Sequence, residues 1–98
     1  LTTELYYALG VEGTKKALVH YPANTFPGQD EDLADNTHFS SYGAIQVAKC
    51  VIRGLIDNQI PLTKHLRDKK FDYSQIHPDD PDTFQWILSA DYKIGEAF

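Results

Sequence analysis

Apolar positions three and four apart dominate the middle of this chain. Ala44, Ile45, Val47, Ala48, Val51, Ile52, Leu55 and Ile56 recur at helical spacing. They predict a helix from a cap at Ser40 or Ser41 to about Gln59. The apolar arc is wide, with Lys49, Arg53 and Asp57 on the wet side, and a helix patterned in this way is mostly covered. Gly43 and Gly54 lower its propensity and mark close packing against another backbone. Pro61 closes the helix, and Asn58-Gln59 frays before it.

A shorter helix is predicted over residues 2–9. Thr2 or Thr3 caps it, Glu4 favours its first turn, and Gly10 stops it in a left-handed conformation. A chain that enters almost inside a helix reads as a cut from a longer protein. Residues 11–16 read as a polar connector or a short second turn. Ala17-Leu18-Val19-His20-Tyr21 is apolar enough for a strand or a tight extended segment, which Pro22 ends. From Tyr21 to Leu33 the chain holds Pro22, Pro27, Gly28 and a run of acidic residues, so a loop is predicted, extending to the helix start near Ser40. Residues 62–70 form a short basic turn or helix. Residues 71–82 form an ordered loop with Pro78, Pro81 and four aspartates. Thr83 caps a last short helix over residues 84–90, with Trp86 and Ile87 as packing residues. Neither an internal repeat nor a heptad is present.

Ninety-eight residues allow one small domain with a modest core. A hydrophobic content of 42% with 23% charged residues is ordinary for a folded chain and argues against disorder. The net charge of −5 offers no basic surface for nucleic acid. A grip on an acidic polymer requires a locally positive patch, which a net charge does not exclude. No run is apolar enough to span a membrane, and there is no signal peptide. In a C-terminal piece that absence says nothing about secretion. Cys50, the single cysteine, allows no intrachain disulfide and no thiolate zinc cluster. It lies on the apolar side of the predicted helix, as a small buried hydrophobe rather than a catalytic thiol.

Candidate chemistry concentrates at Asp35-Asn36-Thr37-His38-Phe39-Ser40. A histidine acting as general base needs its far nitrogen bonded to a group that fixes its tautomer, and a carboxylate also stabilises the imidazolium that forms. Asp35 and His38 are close enough for a turn to join them. The following helix start, with its positive end, favours the neutral imidazole. The ordinary structural alternative makes Asp35 an Asx turn and ties His38 to backbone. Asn36 and Thr37 are turn formers first. Ser40 is a helix cap before it is a nucleophile, because a cap oxygen is committed to helix amides. A metal site needs three or four converging ligands, and His20, His38, His65 and His77 are spread without a helical pair. Asp79, Asp80 and Asp82 lack the spacing and closing glutamate of a calcium loop. No metal and no cofactor is therefore predicted. A Gly-x-Ser-x-Gly elbow and a glycine-rich phosphate loop are both missing. Ser40, Ser41, Ser74 and Ser89 all lack the setting of a nucleophile.

The segment Asp35-Asn36-Thr37-His38-Phe39-Ser40-Ser41-Tyr42-Gly43-Ala44 resembles the last block of the SGNH, or GDSL, hydrolases, and more narrowly the rhamnogalacturonan acetylesterase group of carbohydrate esterases. Tyr21-Pro22-Ala23-Asn24-Thr25-Phe26-Pro27-Gly28 is similar to the loop leading into that block, as is Leu9-Gly10-Val11-Glu12-Gly13-Thr14-Lys15-Lys16 to the segment before it. The resemblance covers residues 1–60, leaving 61–98 as a variable C-terminal extension. It implies the C-terminal part of a three-layer α/β fold with a central parallel sheet, the piece itself being mainly helical with long loops. It also implies Asp35 and His38 as triad acid and base, and a serine nucleophile and oxyanion groups in earlier blocks that have no counterpart here. Tyr21, Asn24 and Phe26 become substrate-wall candidates. An acetylated pectic or other carbohydrate is the implied substrate, and an extracellular or periplasmic location is implied with it. This piece alone is then inactive, and the missing N-terminal part of the same protein is its first partner. The face of the 41–59 helix meant for a sheet is then exposed, inviting self-association. The alternative from a different class is a non-catalytic interaction or accessory domain, with His38 packed or tied to backbone.

Overall fold

In a computed structural model, which describes residues 1–85, the first helix, α1, spans Thr2–Ala17 and turns a corner at Gly10. Gly10 has φ 68° and ψ −174°, a conformation open to glycine and to few other residues. The expected break at Gly10 is therefore present, and residues 11–17 resume as helix, longer than the short second turn expected as the alternative to a connector. Lys15 and Lys16 in the last turn complement the helix dipole, and Lys15 pairs with Glu12 one turn back. The expected threonine cap is not made. Leu1 occupies the cap position without a side-chain bond, and Thr2 and Thr3 lie inside the helix.

The predicted strand is β1, Leu18–Tyr21. It pairs antiparallel with β2, Leu33–Phe39. The second strand corrects the sequence reading, which left this stretch as loop. Leu-Ala-Asp-Asn-Thr-His-Phe has neither the β-branched content nor the alternation of a strand. Its pairing is imposed by β1 across the closed hairpin. The intervening loop is ordered by its own polar groups. Asn24 N–H donates to Gln29 O at 2.7 Å, the Gln29 amide donates to Pro22 O and Glu31 O at 2.9 Å each, and Asp32 Oδ1 accepts from Ala23 N–H at 2.7 Å.

The register of the hairpin is regular from Tyr21↔Leu33 to Val19↔Asp35, and then Leu18 pairs with Phe39. One step on β1 spans four residues on β2, so residues 36–38 bulge from the ladder. That bulge decides the geometry of the Asp–His segment.

The long helix, α2, spans Ser41–Asp57 with Ser40 as its N-cap. It ends two residues earlier than the sequence pattern suggests, and Pro61 opens a short 3₁₀ turn, Pro61–His65, instead of closing the helix. Its buried face is Tyr42, Gly43, Gln46 and Cys50. None of the eight apolar residues that predicted the helix is buried, and Ala44 and Val51 are exposed. The helix thus packs on α1 with its mixed face, and the other six of the eight stay half-buried, Val47 among them against the small core. Gly43 makes the helix crossing possible, since a Cβ there would stand 1.9 Å from Ala17 O.

Residues 71–84 return along α2. Tyr73 joins Leu5 and Cys50 in a small core, with Leu9, Val47 and Phe71 against it. Asp79 is the polar anchor of this return. Its Oδ2 accepts from Gln46 Nε2 at 2.7 Å and from Lys49 Nζ at 2.6 Å, and its carbonyl accepts from the Tyr42 hydroxyl at 2.6 Å. Burial pushes the Asp79 carboxyl up, but the Lys49 and Gln46 bonds outweigh it and hold it below its ordinary range. Burial also raises the Cys50 thiol, so this cysteine behaves as the small hydrophobe expected of it. Residues 84 and 85 are not helical, and the rest of the predicted last helix, with Trp86 and Ile87, lies outside the described residues. The described part is thus a small mixed α/β unit of two helices and a two-stranded sheet. No helix among the described residues is long and apolar enough to cross a membrane.

Candidate active site

The bulge after Asp35 folds the chain back on its carboxylate. Oδ1 accepts from the Thr37 amide at 2.6 Å and from the His38 amide at 3.1 Å. Oδ2 lies 2.8 Å from His38 Nδ1. A carboxylate only accepts, so Nδ1 carries the proton and donates. Nε2 makes no hydrogen bond among the described residues, and the His38 side chain is 75% exposed. The three bonds hold the Asp35 carboxyl down at about 2, the Thr37 amide contributing most, then the His38 ring and the His38 amide. Asp35 is therefore ionised wherever a histidine base is useful.

Two neighbours fix the ends of this segment. Asn36 Oδ1 lies 2.7 Å from His20 Nε2 on the paired strand, which ties the bulge across the hairpin. Ser40 is buried; its Oγ accepts from Gly43 N–H at 3.2 Å and donates to Lys16 O at 2.7 Å. Its hydroxyl is committed, as the cap reading requires. His20 was not visible as part of this site in the sequence, because its partnership depends on the strand register. A groove of about 640 Å³, lined by Tyr6, Tyr7, Val11, Leu18, His20 and Asn36 among others, runs between α1 and the hairpin.

The three substrate-wall candidates sit in the hairpin loop. Tyr21 and Phe26 stack edge to face at 5.0 Å. Asn24 has φ 65° and serves the turn. No hydrogen bond joins any of the three to Asp35 or His38 among the described residues. Nor does any group of three or more His, Cys, Asp or Glu side chains converge there as for a metal ion.

An imidazole held by a carboxylate at Nδ1, with Nε2 open, is suited to taking and returning a proton. A nucleophile does not stand beside it among the described residues. Over 65 residues the chain is 42% identical to the rhamnogalacturonan acetylesterase RhgT of Bacillus subtilis (strain 168). The match takes in 66% of this chain and 28% of that protein, so the chain spans less than a third of the length of the curated relative it matches. The chain is therefore homologous, over that stretch, to an acetylesterase. No family model and no solved structure matches it.

Proposed function

We propose that this chain carries the acid and base of a serine carbohydrate esterase of the SGNH, or GDSL, class, acting outside the cytoplasm on an acetylated pectic or related polysaccharide. In this reading residues 1–60 belong to the C-terminal part of a three-layer domain and 61–98 extend it. The remainder of the enzyme supplies the serine, the oxyanion donors and the parallel sheet. The observation that carries the reading is the Asp35–His38 pair, with Nδ1 bonded and Nε2 open, in a chain homologous to an acetylesterase.

The mechanism follows from that pair. His38 Nε2 takes the proton of the serine as its oxygen attacks the acetyl carbonyl. Asp35 holds the ring and stabilises the imidazolium. The proton passes to the leaving sugar hydroxyl, the carbonyl–sugar bond breaks, and acetyl-enzyme remains. Water, deprotonated by His38, then attacks the acetyl carbonyl, the acetyl–serine bond breaks, and the His38 proton returns to the serine oxygen as acetate leaves. Tyr21, Asn24 and Phe26 are assigned to the substrate side of the hairpin, and the surface of α2 around the exposed Val51 to packing against the missing part or, without it, against a second copy.

The test is acetate release from acetylated rhamnogalacturonan by the native protein that contains this chain. His38→Gln is expected to lower kcat on the order of 10⁶-fold with little change in KM, and Asp35→Asn on the order of 10⁴-fold. The 98-residue chain alone is expected to release none. Undiminished release by His38→Gln overturns the assignment and favours a non-catalytic accessory role.

A further inference from the structure

Residues 64–70 hold the densest positive charge of an acidic chain. Four of its nine Lys and Arg residues, Lys64, Arg67, Lys69 and Lys70, fall there, with Asp68 alone of its fourteen Asp and Glu. The segment starts in the 3₁₀ turn, Pro61–His65, and continues through a turn at residues 69 and 70. All four cations are exposed, as is His65 among them, while Leu66 is half-buried and pins the middle. The run is folded rather than extended: Lys69 Nζ donates to Lys64 O at 2.6 Å, and Lys70 N–H to Asp68 Oδ1 at 2.9 Å.

The other cations of the described residues are committed. Lys15 pairs with Glu12, Lys16 with Asp82, Lys49 with Asp79 and Arg53 with Asp57. Lys64, Arg67 and Lys70 have no carboxylate partner among the described residues. Unpaired like charges within one short turn repel each other, and a polyanion laid across them relieves that repulsion. The patch follows the C-terminal end of α2, whereas Asp35 and His38 precede its N-terminal end. The helix has 17 residues and measures about 25 Å. That separation suits a polymer reaching several sugar units from the reacting one, rather than a single sugar.

We propose that Lys64, Arg67, Lys69 and Lys70 form an exosite for the uronate carboxylates of an acidic polysaccharide. The proposal rests on the pectic esterase reading for its choice of polyanion. No aromatic residue lies within 64–70 to stack a base, and the chain's net charge of −5 repels a long duplex, so nucleic acid is disfavoured.

Affinity electrophoresis of the native protein that contains this chain through gels containing polygalacturonate tests this, with fully methyl-esterified polygalacturonate, duplex DNA and phosphatidylserine vesicles as competitors in solution. The acidic polymer is expected to retard the protein, less so as salt rises, and the methyl ester not to compete. Replacing all four cations by Gln is expected to weaken retardation about tenfold or more. Thermal melting checks that this variant folds. If it does not, the double variant Arg67→Gln, Lys70→Gln, whose side chains make no bond among the described residues, takes its place with an expected loss of about threefold. Unchanged retardation of the folded variant overturns the exosite, as does tighter binding to DNA or to vesicles. The assay needs no turnover. Retardation without acetate release by the native protein would overturn the esterase reading alone, and acetate release without retardation would overturn the exosite alone.

Discussion

Asp35 accepts three hydrogen bonds, two on Oδ1 from backbone amides and one on Oδ2 from an imidazole. The sequence offers an Asx turn and a histidine partner as rival roles for this carboxylate. The structure satisfies both, because the two oxygens face different donors. The consequence is measurable by carbon NMR. The Asp35 carboxyl is expected to titrate with a midpoint of about 2 instead of the ordinary 3.8. Its pKa is depressed on folding, so its contribution to stability is complete above 3.8 and is lost as pH falls through about 2. In His38→Ala the midpoint is expected to rise but to stay below 3.8, because the two amides remain. A midpoint near 3.8 in the parent chain would overturn this account of the site.

Glycines set the geometry of the elements. Gly10 at φ 68°, ψ −174° lets α1 turn without ending. Gly43 lets α2 approach Ala17 so closely that any Cβ would strike backbone. Gly54 would place a Cβ 2.9 Å from Leu1 Cδ1, the movable end of a side chain. Urea denaturation should rank the three alanine variants accordingly. Gly43→Ala is expected to cost about 3 kcal/mol or to prevent folding, since the elements must separate to admit it. Gly10→Ala is expected to cost about 1–3 kcal/mol through backbone strain. Gly54→Ala should change stability by less than about 1 kcal/mol, since gained helix propensity offsets a small adjustment. Equal costs at all three sites would contradict the packing described. The close approach at Gly43 is legible in the sequence as a glycine inside a helix; the identity of its partner is not. β2 is illegible for a related reason: its pairing energy comes from β1, and nothing in its own residues signals a strand.

At the scale of the molecule, the core is small and α2 is turned unexpectedly. Leu5, Ala17, Tyr42, Cys50 and Tyr73 are the buried hydrophobics among the described residues, while Val51 is 57% exposed. Of the eight apolar residues that predicted the helix, Ala44 and Val51 are exposed and the other six half-buried, while the mixed face with Gln46 and Gly43 is covered by α1 and by the returning segment around Asp79. The exposed Val51 and its half-buried apolar neighbours on α2 are the surface expected to associate. Sedimentation of the isolated chain is expected to show a mass that rises with concentration, and Val51→Lys to suppress the rise. A monomer at every concentration would overturn the expectation.

The sequence by itself determined the local events of this protein. These are the helical spacing of α2, the Ser40 cap, the break at Gly10, the short strand before Pro22 and the nearness of Asp35 to His38. Each depends on residues within a turn or two of one another, where propensity and short-range hydrogen bonds dominate. Only the tertiary structure decided that residues 33–39 form a strand, that residues 36–38 bulge from it, that His20 holds Asn36, and that α2 buries Tyr42 and Gln46 rather than Val51. Those outcomes depend on partners far along the chain. Strand register and helix facing are set by the free energy of the whole packed arrangement, which no window of the sequence contains.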